Sequence, residues 1–77
     1  MVIYFYYNNH NPPHFHVIYS GIEAEISIGN LVQLKGKLPP RVLGLVVEWA
    51  ELHKEELMAN WKLCVLGEEL KQIKPLL

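Results

Sequence analysis

The chain has 77 residues, of which 51% are hydrophobic and 19% charged, and its formal net charge at pH 7 is -1. A chain this short and apolar buries one small core, so we expect it to associate as a homo-oligomer or with a small partner protein. The charge disfavours, without excluding, RNA binding through clustered cations. No apolar run approaches the roughly 20 residues of a membrane span. A single cysteine cannot form an internal disulfide, and we expect a cytoplasmic protein with no membrane contact.

The first part of the chain has the composition of a strand followed by a loop. Val2 to Tyr7 is rich in β-branched and aromatic residues and predicts a strand. Asn8 to Pro13 contains asparagines and a Pro-Pro pair, which predict a rigid loop. Leu31 to Lys35 is a candidate for a later strand. Its register stays open, because a two-residue turn at Gly29-Asn30 would place polar side chains on the apolar face.

Two central strands are predicted to form a tight hairpin. Phe15 to Tyr19 and Ile22 to Ile28 are separated only by Ser20-Gly21, a spacing typical of a two-residue turn. In the second strand, apolar residues alternate with polar ones, which indicates one buried and one wetter face. Pairing outward from the turn gives Phe15–Ile26, Val17–Ala24 and Tyr19–Ile22 on the core face, and His14–Ser27, His16–Glu25 and Ile18–Glu23 on the other face.

The second half is predicted to be one long helix over residues 39–67, which begins at Pro39-Pro40 and ends at Gly67. Its broad apolar face would pack on the sheet. A narrower stripe on the opposite side is our candidate for an oligomer contact, and consists of Val47, Met58 and Val65. The predicted fold is α+β in one domain, 1–77: a small antiparallel sheet of three to four strands within 1–38, the long C-terminal helix, and a tail over 68–77.

The segment from His10 to His16 contains the residues best suited to metal binding or acid–base catalysis. Residues two apart on a strand point the same way, so His14 and His16 converge, and Glu25 on the facing strand could supply a third ligand. The predicted metal ligands are His10, His14 and His16, for zinc or a similar divalent metal. Two alternatives stay open. In one, His16 and Glu25 form a cross-strand ion pair while His14 bonds to loop backbone; in the other, His14 and His16 act as acid and base, with Glu25 orienting His16.

Two polar residues interrupt the apolar face of the predicted helix. His53 and Asn60 would be buried there, and a buried polar group needs a hydrogen-bond partner. We predict that they bond to backbone groups of the His10 loop and brace it from behind.

Several strings along the chain together resemble a known family. They are His10-Asn11-Pro12-Pro13-His14-Phe15-His16-Val17, Gly36-Lys37-Leu38-Pro39, Glu48-Trp49-Ala50, Asn60-Trp61 and Ile73-Lys74-Pro75-Leu76, with His53 and Leu57 between them. The chain resembles the small prokaryotic family known as domain of unknown function 4160. The resemblance implies no defined activity, but it implies a place in a toxin–antitoxin-like gene pair with a second small domain as partner. Family members usually carry an extra stretch before the position of Met1, so the completeness of the first strand stays open.

Three functions are compatible with these features. The first is a protein-binding component of a toxin–antitoxin-like pair, favoured by the second apolar stripe and the resemblance. The second is a small ribonuclease, histidine-based or metal-dependent, that acts through His14 and His16. The third is a structural metal site.

Overall fold

The computed structural model describes residues 1–7 and 10–76. Four strands form one antiparallel sheet in the order β1-β2-β3-β4, and two helices follow. The predicted α+β architecture, with the sheet in the N-terminal half, is confirmed. Asn8 and Asn9 of the predicted rigid loop, and Leu77 of the tail, lie outside the described residues. The elements are β1 (Val2–Tyr4), β2 (His14–Tyr19), β3 (Ile22–Ser27), β4 (Gln33–Lys35), α1 (Pro40–Leu52) and α2 (Lys54–Val65).

The central hairpin has the predicted turn and the predicted register. Ser20 and Gly21 have φ values of 48° and 81°, so both adopt the left-handed backbone of a two-residue turn whose twist matches that of the strands. His16 therefore lies opposite Glu25, and His14 lies opposite Ser27. The hairpin therefore places its histidines and Glu25 on one face, and Phe15, Val17 and Ile26 on the other.

The outer strands are shorter than their composition predicts. β1 covers Val2–Tyr4 rather than Val2 to Tyr7, and it pairs with β2 so that Tyr4 lies opposite His16. β4 pairs with β3 after a longer turn, and an irregularity in the ladder lies between Glu25 and Ile26. The Ile26–Gln33 pair is the one that two-residue pairing at Gly29-Asn30 gives, and the bulge then places Lys35 opposite Glu25 rather than Ala24.

Gly36 fixes the exit of β4 against β3. Its φ is 80°, and a Cβ atom built there would lie 2.2 Å from the carbonyl oxygen of Glu23 and 2.8 Å from the Cα of Ala24. Only glycine lets the two backbones approach this closely. The chain can therefore leave the sheet directly after Lys35 and turn towards α1.

The prediction of one long helix is wrong, because the helix ends and restarts at His53. The backbone of His53 leaves the helical region, with φ -116° and ψ 21°, and its N–H is shared between the carbonyls of Trp49 and Ala50. The imidazole Nδ1 lies 2.6 Å from Glu56 in the first turn of α2, where acidic side chains favour a helix N-terminus. α2 then ends as predicted at Gly67, whose φ is 72°. Neither helix, within the described part of the chain, is long and apolar enough to cross a membrane.

The core lies between one face of the sheet and the two helices. Thirteen hydrophobic residues are buried there, including Phe15 and Ile26 of the sheet and Val46 and Leu57 of the helices. Each helix contributes its own set of buried positions, so the break at His53 separates two packing surfaces rather than interrupting one. The buried hydrophobic residues are Phe15, Val17, Ala24, Ile26, Ile28, Leu38, Val42, Val46, Trp49, Ala50, Leu57, Trp61 and Cys64.

Candidate metal centre

A row of four side chains crosses the sheet on the face opposite the main core. Each strand contributes one residue: Tyr4, His16, Glu25 and Lys35 lie opposite one another in neighbouring strands. Directly opposed residues in an antiparallel sheet point to the same face, with Cβ atoms about 4.5–5.5 Å apart. The register therefore brings an aromatic ring, an imidazole, a carboxylate and an ammonium together, and His14 lies on the same face two residues from His16.

His14 has one nitrogen committed to the backbone and one directed into the cluster. Its Nδ1 lies 2.7 Å from the carbonyl oxygen of Pro12, which can only accept, so Nδ1 carries the hydrogen. In the neutral ring Nε2 is then an acceptor, and it lies 3.6 Å from Oε1 of Glu25. Two acceptors that face each other need a proton or a cation between them. Metal-binding histidines typically use this arrangement, with the second nitrogen donating to a carbonyl.

His16 is buried and has no hydrogen-bond partner for either ring nitrogen within residues 1–7 and 10–76. Only 4% of the residue is exposed. The ring of Tyr4 stacks on it at a centroid distance of 5.1 Å, and the ring of Tyr6 meets it edge-on at 4.4 Å. Burial lowers the pKa of His16, and the neighbouring His14 lowers it further, against an opposing effect of Glu25. The lowered pKa favours the neutral imidazole, which is the form that binds metal.

The three side chains can offer ligand atoms to one ion. One nitrogen each from His14 and His16 and one oxygen from Glu25 all lie within 4.8 Å of one another. In a tetrahedral zinc site with bonds of about 2.0–2.1 Å, ligand atoms are about 3.3 Å apart. The His14–Glu25 pair, at 3.6 Å, is already close to this distance, and drawing all three atoms together requires movements on the order of 1 Å. The resulting set is two imidazoles and one carboxylate with a fourth position open.

Glu25 lies between the buried histidines and the exposed side chain of Lys35. Its Oε1 faces His14, and its Oε2 lies 3.9 Å from Nζ of Lys35. The Glu25 side chain is 21% exposed and that of Lys35 is 70% exposed. Solvent therefore reaches the cluster from the β3–β4 side. Within the described residues, Glu25 faces Nε2 of His14 rather than forming the cross-strand ion pair with His16 considered from the sequence. The bond from His14 to loop backbone is present.

The face predicted to be the wetter one is covered at the histidines. His14 is 4% exposed, like His16. The indole of Trp61 on α2 covers His14, with ring centroids 5.2 Å apart. Tyr4 and Tyr6, beside His16, direct their hydroxyls to the carboxylate of Glu23. Burial and this hydrogen bond raise the pKa of Tyr4. Tyr4 and Tyr6 lie beside His16 because β1 pairs with β2, which places Tyr4 opposite His16.

His10 lies beside the cluster rather than within it. Its ring centroid is 6.3 Å from that of His14, and the group of ligand atoms found among the described residues comprises His14, His16 and Glu25. Within the described residues, the atoms that lie close enough to share one ion therefore come from His14, His16 and Glu25.

Among the described residues, His53 and Asn60 bond to segments other than the His10 loop that the sequence predicts they brace. The Asn60 side chain bonds to both the N–H and the carbonyl of Lys71, each at 2.9 Å, and His53 contacts Glu56. Asn60 instead holds the tail against the helices, together with a hydrogen bond from Trp49 Nε1 to the carbonyl of Lys74. A cavity of about 400 Å³ lies between this tail, β1 and the helices.

The predicted interface stripe is not continuous. Val47 on α1 is half-buried, Met58 on α2 packs against the core, and Val65 is 61% exposed. Because the helix breaks at His53, Val47 lies on a different helix from the other two.

The family model described as "Domain of unknown function (DUF4160)" matches residues 1–62, and the chain belongs to this family. The match includes all of the residues of the cluster. No curated protein and no solved structure matches the chain.

Proposed function

We propose that this DUF4160 domain binds one divalent metal ion of the zinc class through His14, His16 and Glu25. The observation that carries the proposal is the buried imidazole of His16, whose nitrogens have no partner among the described residues. A buried polar group left without a hydrogen bond costs about 1–3 kcal/mol. A metal ion removes this cost. It also binds both Nε2 of His14 and Oε1 of Glu25, two acceptors that otherwise face each other with no hydrogen or cation between them.

The composition of the site argues for the class of metal. Imidazole nitrogen suits zinc and its neighbours among the transition metals, whereas magnesium and calcium prefer oxygen ligands. His14 already donates its second nitrogen to the carbonyl of Pro12, which fixes the ring and leaves Nε2 available. With three protein ligands, the fourth position is left for water or for an external ligand.

The test is the metal content of untagged protein, measured by plasma mass spectrometry after dialysis against zinc. We expect near-stoichiometric zinc in the wild type and its loss in His16→Phe and Glu25→Gln. His53→Ala is the matched control, because this histidine lies outside the cluster and should leave the metal content unchanged. His10→Ala distinguishes the two ligand sets: retention of zinc supports Glu25 as the third ligand, and loss would favour the set of three histidines. Wild-type protein without zinc refutes the proposal.

A second function, the protein-binding component of a toxin–antitoxin-like pair, is supported by exposed apolar side chains on the helices. Val65 is 61% exposed and Leu66, directly after it, is 70% exposed, and neighbouring exposed apolar groups of this kind are typical of partner surfaces. Co-expression with the small protein encoded next to this one should give a complex that Leu66→Lys weakens. Lys62→Gln, at an exposed polar site of the same helix, should not. A wild-type chain that remains monomeric in the presence of that protein contradicts this function.

A ribonuclease that acts through His14 and His16 as acid and base has less support. Both residues are only 4% exposed, under aromatic rings, and a proton carrier must come within hydrogen-bond reach of the RNA.

A further inference from the structure

We infer that the open position of this metal centre takes a phosphoryl group, which Lys35 binds together with the metal. The inference rests on the proposed metal site and names its ligand class. Three features of the cluster carry it: the side from which an external ligand can enter, the charge it would meet there, and the donors that would remain for it.

The first feature is access. The two histidine rings are covered by Tyr4, Tyr6 and Trp61. Exposure increases along the row towards the edge strand, from 4% for His16 through 21% for the Glu25 side chain to 70% for that of Lys35. A ligand that reaches the metal from the Glu25 side therefore passes the ammonium of Lys35.

The second feature is charge. A divalent ion bound by two neutral imidazoles and one carboxylate keeps a net charge of +1, and Lys35 adds another unit. The carboxylate of Glu23, on the same face, accepts the hydroxyls of Tyr4 and Tyr6 and keeps its negative charge, so the face as a whole has a net charge of about +1. The excess of positive charge lies at the metal position and at Lys35. A phosphate monoester is mainly a dianion at neutral pH, because its second pKa is about 6, and these two charges attract it more strongly than a singly charged carboxylate.

The third feature is donor geometry. Glu25 directs Oε1 to the histidines and Oε2 to Lys35, so one carboxylate separates the metal position from the ammonium. An ammonium has three donors, and at 3.9 Å the contact with Glu25 is too long to be a hydrogen bond. A tetrahedral oxyanion can place one oxygen on the metal and a second oxygen on Lys35. The irregularity between Glu25 and Ile26 sets Lys35 at this position.

Cobalt(II) in place of zinc makes both events visible, because its visible absorption reports coordination. Protein saturated with cobalt is titrated with inorganic phosphate and, separately, with acetate. We expect a spectral change at lower concentrations of phosphate than of acetate. Lys35→Gln should weaken phosphate binding roughly three- to tenfold while the acetate titration changes less. Lys37→Gln is the matched control, since it removes a nearby surface charge outside the row, and it should behave as the wild type.

The outcomes separate the two proposals. If cobalt gives no protein-dependent spectrum, the metal site itself is refuted, and the phosphoryl site with it. If cobalt binds but phosphate and acetate behave alike, or if Lys35→Gln and Lys37→Gln have equal effects, the metal site stands and the phosphoryl inference is overturned.

Discussion

Replacement of His16 by phenylalanine should change stability in opposite directions with and without metal. Phenylalanine has nearly the shape of histidine and fits between Tyr4 and Tyr6, but it has no ring nitrogen to leave unsatisfied. Removing a buried unsatisfied polar group recovers about 1–3 kcal/mol. In chelator, His16→Phe should therefore have a higher free energy of unfolding than the wild type. For a domain of this size, each kcal/mol raises the Tm by about 4–8 °C.

Zinc should reverse this order. A ligand at one hundred times its Kd stabilises the folded state by about 2.7 kcal/mol, and only the wild type should gain this. The measurements are urea unfolding curves for both proteins, in chelator and in excess zinc. His53→Phe is the control, since the Nδ1 of His53 has Glu56 as a partner and its replacement should not stabilise. A His16→Phe protein less stable than the wild type in chelator, or stabilised equally by zinc, would refute the reasoning.

Three further predictions concern the metal-free fold. The pKa of His16 is lowered in the folded chain, so as the pH falls the unfolded chain takes up the proton first. The wild type should therefore lose stability relative to His16→Phe as the pH falls through about 6.5. If unfolding curves give the same difference in free energy of unfolding between the two proteins at pH 8 and at pH 5.5, this prediction is contradicted. Gly36→Ala should lower the free energy of unfolding by about 2–4 kcal/mol, because the added Cβ clashes with β3. Gly21→Ala, whose added Cβ has no neighbour within 4 Å, should lower it by only about 1 kcal/mol. Equal losses of Tm in the two variants would exclude the clash. Asn60→Ala should release the tail and lower stability by about 1–3 kcal/mol, with faster proteolysis after residue 67, whereas Asn60→Asp keeps the acceptor and should lose less.

The sequence predicted the part of the candidate site that depends on local geometry. Ser20-Gly21 limits the turn to two residues, and the alternation of the second strand fixes which face is apolar. These two features are sufficient to place His14, His16 and Glu25 on one face. They do not determine Lys35, whose position follows from a bulge, because an extra residue in a ladder leaves no periodic signal.

The features that were not predicted depend on contacts between distant segments. The sequence between β1 and β2 lacks a two-residue turn motif like Ser20-Gly21, so no local pattern predicts that Tyr4 and Tyr6 contact His16. The break at His53 contains neither glycine nor proline, and the apolar periodicity continues through it. The one local signal was Glu55-Glu56 directly after it, since acidic residues favour the first turn of a helix.

The cost of His16 is large on the scale of this domain. A stability of about 0.05–0.15 kcal/mol per residue gives roughly 4–12 kcal/mol for 77 residues, so one unsatisfied imidazole at about 1–3 kcal/mol removes a substantial share. The hydrophobic core on the other face must supply this share in the metal-free chain. Because the unfolded chain has no preformed site, the free energy of metal binding adds to the free energy of unfolding. Stability as a function of zinc concentration is therefore a direct measure of the site, independent of any assumed activity.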